Sequence, residues 1–94
     1  MRIRFYIDPQ TKHSHIFNHN VTEEEVIDVL TSPGEDRMGR EGSRVAIGQT
    51  RKGRYLKVIY VLEPESESIF VITAYELKGK ALVAYKRRRR RQNI

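Results

Sequence analysis

The sequence predicts an α+β fold in which an antiparallel sheet of about four strands carries helices packed on it. Residues 55–62 alternate so that Leu56 and Val58 share one face, which is the period of a strand with one buried side. Residues 69–74 are mostly β-branched or aromatic and suit a central strand. Residues 63–68 between them are charged or hydroxylated and include a proline, as in a surface turn. We therefore expect an antiparallel hairpin at the centre of the sheet.

The N-terminal segment predicts a strand followed by a helix. Residues 2–7 place apolar side chains on one face and arginines on the other, as a short strand does. Asp8 is a favoured N-cap residue, and Pro9 is a favoured first helical residue because its missing N–H had no partner there. We expect this helix to end near Asn20, which tolerates the left-handed conformation.

A second helix is predicted by its N-terminal signal. The hydroxyl of Thr22 can accept from the backbone N–H of Glu25 while the Glu25 carboxylate reaches back to Thr22, which is a capping box. Val21 can pack on Val26 across this cap. The Ser-Pro-Gly sequence at residues 32–34 ends the helix. We expect both helices of the N-terminal half to pack on one face of the sheet.

The rest of the chain supplies a polar excursion, a third strand, a loop and a final helix. Residues 35–42 are polar and lead into a strand at residues 43–49. The hairpin loop at residues 50–54 carries three cations and a glycine, which suit either a phosphate contact or an ordinary solvated turn. A helix reaching about Arg90 would place its arginines at the negative end of the helix dipole.

The excess charge of the chain is concentrated at its C-terminal end. The formal net charge is +6, from 18 basic and 12 acidic residues. Lys86 and residues 87–91 supply six positive charges, which is the whole of this excess. Such a block is typical of an interaction tail for RNA or another polyanion, and it is also compatible with a solvated terminus. We expect a single domain, 1–94, with a globular core at 1–85 and a basic extension at 86–94.

Composition limits the class of protein further. A chain of 94 residues has room for one domain with one core. It contains no cysteine, which excludes disulfides and thiolate metal sites and favours a reducing compartment. Nowhere do about 18 apolar residues follow one another, as a membrane-spanning helix requires. We expect a cytoplasmic protein with no membrane partner and no cofactor.

The titratable side chains do not form a recognised catalytic motif. His13, His15 and His19 are the three histidines, and two of them would share one turn of the predicted first helix. No acidic or cysteine ligand stands at a diagnostic spacing from them, so we predict no metal site. A glycine-rich phosphate loop and a nucleophilic-serine motif are also missing from the sequence.

A set of basic and aromatic residues near one edge of the sheet indicates RNA binding. Arginine offers a bidentate fork to phosphate, and tyrosine can stack on an unpaired base. The same groups can cleave RNA without a metal, because a cation stabilises the pentacoordinate phosphate while tyrosine or histidine transfers the proton. Tyr75 and Tyr85 are equally compatible with core-edge positions whose hydroxyls lie in water. The predicted nucleic-acid-binding residues are Arg51, Arg54, Lys78, Arg87, Arg88, Arg89, Arg90 and Arg91.

Several short segments resemble the BrnT-like proteins, and they resemble most closely a related bacterial family of uncharacterised small domains. The segments are the predicted helix start at Asp8 and Pro9, residues 19–25, where the second helix opens, and residues 40–50, 53–60 and 71–75. The resemblance extends over nearly the whole chain and implies a RelE-like fold. For BrnT itself the activity is that of a ribonuclease toxin neutralised by an antitoxin. His19 matches a histidine of the family, and Tyr85 matches a tyrosine late in its last helix.

The resemblance and the localised charge together define the functional hypotheses. Tyr75 and Glu76 stand where BrnT-like toxins carry an arginine pair, and Leu82 replaces their glutamate. The catalytic candidates are His19, Tyr75 and Tyr85, which can transfer protons. The leading hypothesis is a toxin of the type II toxin-antitoxin kind, acting as a metal-independent endoribonuclease, with RNA and a cognate antitoxin as partners. The alternative is a non-catalytic nucleic-acid-binding or protein-binding module on the same fold, and an open strand edge would also allow a homodimer.

Overall fold

The computed structural model describes residues 2–92, the last of these for its backbone only, and residues 93 and 94 of the predicted basic extension lie outside the described part. Within these residues, one sheet of five strands and two α-helices confirm the α+β prediction. The strands are β1 (Arg2–Phe5), β2 (Glu35–Met38), β3 (Arg44–Gln49), β4 (Tyr55–Glu63) and β5 (Ser68–Glu76). The helices are α1 (Glu23–Thr31) and α2 (Gly79–Gln92).

The sheet is mixed and has one strand more than predicted. Its order is β1-β5-β4-β3-β2, and the expected hairpin of β4 and β5 lies in its interior. β1 runs parallel to β5, from Arg2 opposite Ser68 to Phe5 opposite Val71, so the prediction of a purely antiparallel sheet is wrong. The alternation that identifies a strand carries no information about its neighbour. The long connection after β1 returns the chain to the opposite edge of the sheet, where β2 pairs with β3.

The extra strand, β2, lies in the segment that the sequence predicts to be a polar connection between α1 and β3. Its four residues are Glu-Asp-Arg-Met, and the side chain of Met38 is 71% exposed. An edge strand is held by backbone hydrogen bonds to one neighbour and tolerates charged side chains on its surface. The polar sequence of β2 therefore gives no sign of a strand, and the strand forms because its backbone pairs antiparallel with β3.

The predicted helix between Asp8 and Asn20 is also wrong. The Asp8 carboxylate accepts a hydrogen bond from the backbone N–H of Gln10 at 2.8 Å, and the Asp8 carbonyl accepts one from Lys12 at 2.7 Å. Lys12 adopts a positive φ of 62°, which ends any helical path. Only a 3-10 helix, His15–His19, follows, and it ends at Asn20 in the left-handed conformation as predicted. Asp8 thus stabilises a turn and does not cap an α-helix.

The predicted second helix is confirmed as α1, together with its capping box. The Thr22 hydroxyl accepts from the Glu25 N–H at 3.2 Å, and the Glu25 carboxylate accepts from the Thr22 N–H at 3.0 Å. Val26 and Val29 are fully buried where α1 packs on β3 and β4. Each fully buried valine contributes about 1.5 kcal/mol or more by leaving water.

The two α-helices cover opposite faces of the sheet. On the first face, Leu56 and Val58 of β4 join the buried cluster that contains the inward side of α1. On the second face, Val45 and Ile47 of β3 join a cluster that contains Tyr85 of α2. The alternation of side chains along β3 and β4 separates these two clusters. The final helix is confirmed, and it places its basic end beside the second face.

Candidate nucleic-acid interface

The C-terminal helix α2 packs on the sheet at Gly34. A Cβ atom on Gly34 would lie 1.8 Å from the Tyr85 hydroxyl oxygen, so the tyrosine occupies space that any larger residue would need. The carbonyl of Gly34 accepts a hydrogen bond from Nη1 of Arg89 at 2.7 Å, and its N–H donates to the Ile47 carbonyl at 2.8 Å. Gly34 therefore joins α2 to β3, and the tyrosine is 5% exposed.

An ion pair next to Gly34 holds a second arginine of α2 in place. The guanidinium of Arg88 hydrogen-bonds both carboxylate oxygens of Glu35, and this interaction raises the pKa of Arg88. Arg37 hydrogen-bonds the same carboxylate at 2.9 Å. Glu35 is thus shared by two arginines at the start of β2. Arg88 and Arg89 consequently hold the helix in place, although both were predicted to bind nucleic acid.

A cleft of about 490 Å³ opens between α2 and the sheet, and we call it the α2 cleft. The rings of Tyr55 and Tyr85 meet edge to face with centroids 6.0 Å apart, and Nζ of Lys86 lies 5.1 Å from the centre of the Tyr55 ring. Burial raises the pKa of Tyr85, so its hydroxyl stays protonated at neutral pH. The residues important for its chemistry are Gln49, Tyr55, Tyr85, Lys86, Arg89 and Arg90.

The exposed side of α2 carries cations that have no counter-ion in the described part of the chain. Lys86, Arg87, Arg90 and Arg91 are exposed, and no described carboxylate lies within 4 Å of them. Arg90 also lines the α2 cleft. Lys78, just before the helix, is exposed as well. The predicted basic surface therefore exists on α2, and it combines with the tyrosine pair of the cleft.

Both arginines of the basic loop at residues 50–54, which were predicted to bind nucleic acid, contact carboxylates of α1. Nη1 of Arg54 donates to the carbonyl of Asn20 at 2.7 Å and to the Glu25 carboxylate at 3.0 Å, while Nη2 lies 3.4 Å from Glu76. This network joins α1 to the sheet and occupies the guanidinium. The Arg51 side chain is 91% exposed and lies 3.4 Å from a carboxylate oxygen of Asp28. Because that carboxylate belongs to α1, Arg51 lies on the side of the sheet opposite α2.

The catalytic candidates fall into two separate places. His19 and Tyr75 are neighbours, with ring centroids 6.0 Å apart. Tyr85 belongs instead to the second buried cluster and to the α2 cleft. The structure thus brings together two of the three predicted residues.

The neighbours of His19 and Tyr75 extend into a row of rings, which we call the histidine row. His15 contacts His19 at 5.3 Å and Tyr6 at 5.9 Å between ring centroids, and Nδ1 of His15 lies 3.4 Å from an Asp8 carboxylate oxygen. Hydrogen bonds from the Gln10 backbone and the Asn18 side chain lower the pKa of Asp8. This carboxylate is therefore ionised at neutral pH and orients the His15 ring. At the other end of the row, Nζ of Lys57 lies 5.9 Å from the Tyr75 ring centre.

Between residues 2 and 92, no group of three or more histidine, aspartate or glutamate side chains is arranged to hold a metal ion. No α-helix in that same range is long and apolar enough to cross a lipid bilayer.

Sequence reasoning missed three residues of the α2 cleft. Tyr55 was interpreted only as part of a strand, Lys86 only as part of the charge block, and Gln49 only as the end of β3. The alternation of side chains along β4 is enough to predict the position of Tyr55. Its neighbour Leu56 is buried on one face of the sheet, so Tyr55 must face the other side. That side is the one on which Tyr85 of α2 packs.

Comparison with protein-family models, with curated proteins and with solved structures finds no match to this chain. The class that the fold and the site define is a small α+β domain with a basic C-terminal helix packed beside a tyrosine-lined cleft. The BrnT-like resemblance therefore stays a prediction.

Proposed function

We propose that this chain binds RNA through the exposed side of α2, as a toxin-like protein of a toxin-antitoxin pair. The observation that carries the proposal is a group of exposed cations on α2, beside a tyrosine pair, that have no carboxylate partner among the described residues. Lys86 and Arg90 border the α2 cleft, and Arg87 and Arg91 continue the positive surface along the helix.

The physical basis is the release of counter-ions from the phosphate backbone. Each phosphate that a lysine or arginine neutralises sets free condensed cations, so affinity falls as salt rises. For single strands the slope of log affinity against log salt is about −0.7 per neutralised phosphate. Four cations of α2 would therefore give a slope of about −2.8. Arginine adds directed hydrogen bonds that lysine cannot make in the same bidentate geometry.

Gel retardation of a labelled single-stranded RNA over a salt series tests this proposal. The double variant Arg87→Gln/Arg90→Gln should reduce the steepness of the slope by about 1.4, because two phosphate contacts are lost. The matched control is Lys12→Gln/Lys52→Gln, which removes the same charge at two exposed positions distant from α2 in sequence. Equal slopes in the two double variants would refute the assignment of the RNA site to α2. Retention of an acidic peptide in place of RNA would favour the protein-binding module.

The histidine row supports a second candidate function, metal-independent cleavage of RNA. His19 and Tyr75 can transfer protons, and Lys57 supplies a positive charge beside Tyr75. Cleavage would convert the bound RNA into shorter products in the presence of a chelator. His19→Ala and Tyr75→Phe should each lower the cleavage rate by about 100-fold or more while retardation persists. His13→Ala is the control, because His13 packs on Phe17 outside the row. Retardation without cleavage by the parent chain would leave a non-catalytic binding module.

The RelE-like classification, the partners and the cytoplasmic location belong to the same proposal. An antitoxin would suppress the growth inhibition that the chain causes when expressed alone. The exposed outer edge of β2, with Met38 at its end, offers backbone groups for pairing with a partner strand or with a second copy. Light scattering of the purified chain with and without Met38→Lys tests the homodimer, since a lysine on the edge opposes strand pairing.

A further inference from the structure

We propose that the α2 cleft holds one unpaired nucleotide, with its base against Tyr55 and its phosphate beside Lys86 and Arg90. The inference rests on the proposed RNA binding and adds the form of RNA that is recognised. A duplex would meet only the outer cations of α2, whereas a single strand would also insert a base. The chain should therefore prefer single-stranded RNA to duplex RNA.

The size and composition of the α2 cleft agree with a nucleotide. Its volume of about 490 Å³ falls within the range of roughly 300–1,000 Å³ that is typical of small-ligand sites. Cations and aromatic rings line it together, whereas a site for an apolar ligand would have few charges. A nucleotide has the matching parts, since its base presents an aromatic face and its phosphate is an anion.

Tyr55 is placed to act as the stacking surface. The residue is half-buried at the start of β4, so the sheet fixes its backbone. Tyr85 packs against it edge to face from α2 and is itself held over Gly34. Nζ of Lys86 lies 5.1 Å from the centre of the Tyr55 ring. A base can replace this flexible, exposed amine on the ring, and the amine then remains near enough to pair with the phosphate.

Gln49 supplies neutral hydrogen-bonding groups to the same cleft. Its Nε2 donates one hydrogen bond to the Gly53 carbonyl at 3.1 Å, which orients the side-chain amide. The second N–H and the carbonyl oxygen of the amide have no other described partner. One donor and one acceptor side by side are the groups that bind the edge of a nucleobase. In duplex RNA the Watson–Crick edges are used for pairing and the deep, narrow major groove is closed to side chains, so the contact requires an unpaired base.

The expected selectivity follows from the stacking contribution. Removing the aromatic side chain on which a base stacks weakens the binding free energy by about 1–3 kcal/mol, which equals a 5- to 150-fold loss of affinity. Tyr55→Ala should therefore weaken single-strand binding by that factor and leave duplex binding nearly unchanged. Tyr55→Phe keeps the ring and should retain single-strand binding. Gln49→Ala should weaken single-strand binding less than Tyr55→Ala.

The experiment uses the full chain with a 12-nucleotide single-stranded RNA, the same RNA annealed to its complement, and a set of single-strand oligonucleotides with one abasic position each. At one or more positions, loss of the base should weaken binding to the parent chain. The same loss should have little further effect on Tyr55→Ala, because the two changes remove one contact. Phe17→Ala, which removes an exposed aromatic ring outside both the histidine row and the α2 cleft, is the matched control and should behave as the parent.

The outcomes separate this inference from the proposed function. If no RNA is retarded, RNA binding itself is wrong. If single-stranded and duplex RNA bind equally and Tyr55→Ala retains full affinity, RNA binding stands and the nucleotide site is overturned. Thermal unfolding of each variant shows whether it is folded. Gln49→Ala changes an exposed side chain, so it tests the cleft even where Tyr55→Ala unfolds.

Discussion

Substitution of Gly34 by alanine should displace the C-terminal helix, because the new Cβ would lie 1.8 Å from the hydroxyl oxygen of Tyr85. Ordinary contact requires about 3.5 Å, so the hydroxyl must retreat by roughly 1.7 Å. The ring carbon that carries it, at 3.0 Å from the same Cβ, is also too close. The side chain of Arg89 lies 3.4 Å away and restricts the movement.

The magnitude follows from two opposing contributions. Overpacking at a buried position costs about 1–3 kcal/mol. Replacing glycine by alanine also restricts the unfolded chain and returns about 0.4–1 kcal/mol, since Gly34 does not need a positive φ. The central values of these two ranges, about 2 and about 0.7 kcal/mol, leave a net loss of about 1.3 kcal/mol in the free energy of unfolding, which corresponds to a fall in Tm of roughly 5–10 °C for a domain of this size.

Thermal unfolding of a double-mutant cycle measures this effect. Gly34→Ala, Tyr85→Phe and the double variant are compared with the parent chain. Tyr85→Phe removes the atom nearest to the new Cβ, so the alanine should cost about 1 kcal/mol less in the phenylalanine background. If the alanine lowers the free energy of unfolding equally in the two backgrounds, or if Gly34→Ala leaves Tm unchanged, α2 does not pack on Gly34 as described.

Three further predictions concern the caps and ion pairs of the fold. Thr22→Ala should lower the free energy of unfolding by about 1 kcal/mol through loss of the capping box, as measured by urea unfolding. Burial acts to raise the pKa of Glu25, but hydrogen bonds from the Thr22 backbone and from Arg54 outweigh it and lower the pKa. This carboxylate therefore stabilises the fold above its unfolded pKa of about 4.3 and loses that contribution as pH falls through its folded pKa. Glu25→Gln should accordingly be less stable than the parent at pH 7 and should approach it below about pH 4 in urea unfolding, and a constant difference would contradict this reasoning. Glu35→Gln should free Arg88 from its counter-ion and steepen the salt dependence of RNA retardation by about 0.7, whereas an unchanged slope would show that Arg88 remains unavailable to phosphate.

The elements that the sequence predicted well depend on contacts close together in the chain. The hairpin of β4 and β5 needs only two strand-forming runs and the polar turn between them. The capping box of α1 lies within four residues, and all of its partners are visible in the sequence. The final helix likewise follows from its own residues and begins at Gly79. Local hydrogen bonding and side-chain alternation are sufficient for each of these.

The segment from Asp8 to Asn20 shows where local reasoning was insufficient. Asp8 can cap a helix or close a turn, and both use the same carboxylate. The backbone of Tyr6 decides between them, because its N–H donates to Val71 of β5 and its carbonyl accepts from His15. These bonds bring the segment back to the sheet within a few residues, which leaves no length for an α-helix.

The sequence alone determined that the chain is α+β, that its excess charge lies at the C-terminal end and that arginine and tyrosine are its candidate binding groups. Tertiary structure decided which of these groups remain free. Arg54 and Arg88 are paired with carboxylates from other elements, while Lys86 and Arg90 remain exposed at the α2 cleft. Tyr55 enters the site only because α2 packs on the second face of the sheet. Ion pairs and helix packing join residues distant in the chain, so their effect on the site depends on the folded arrangement.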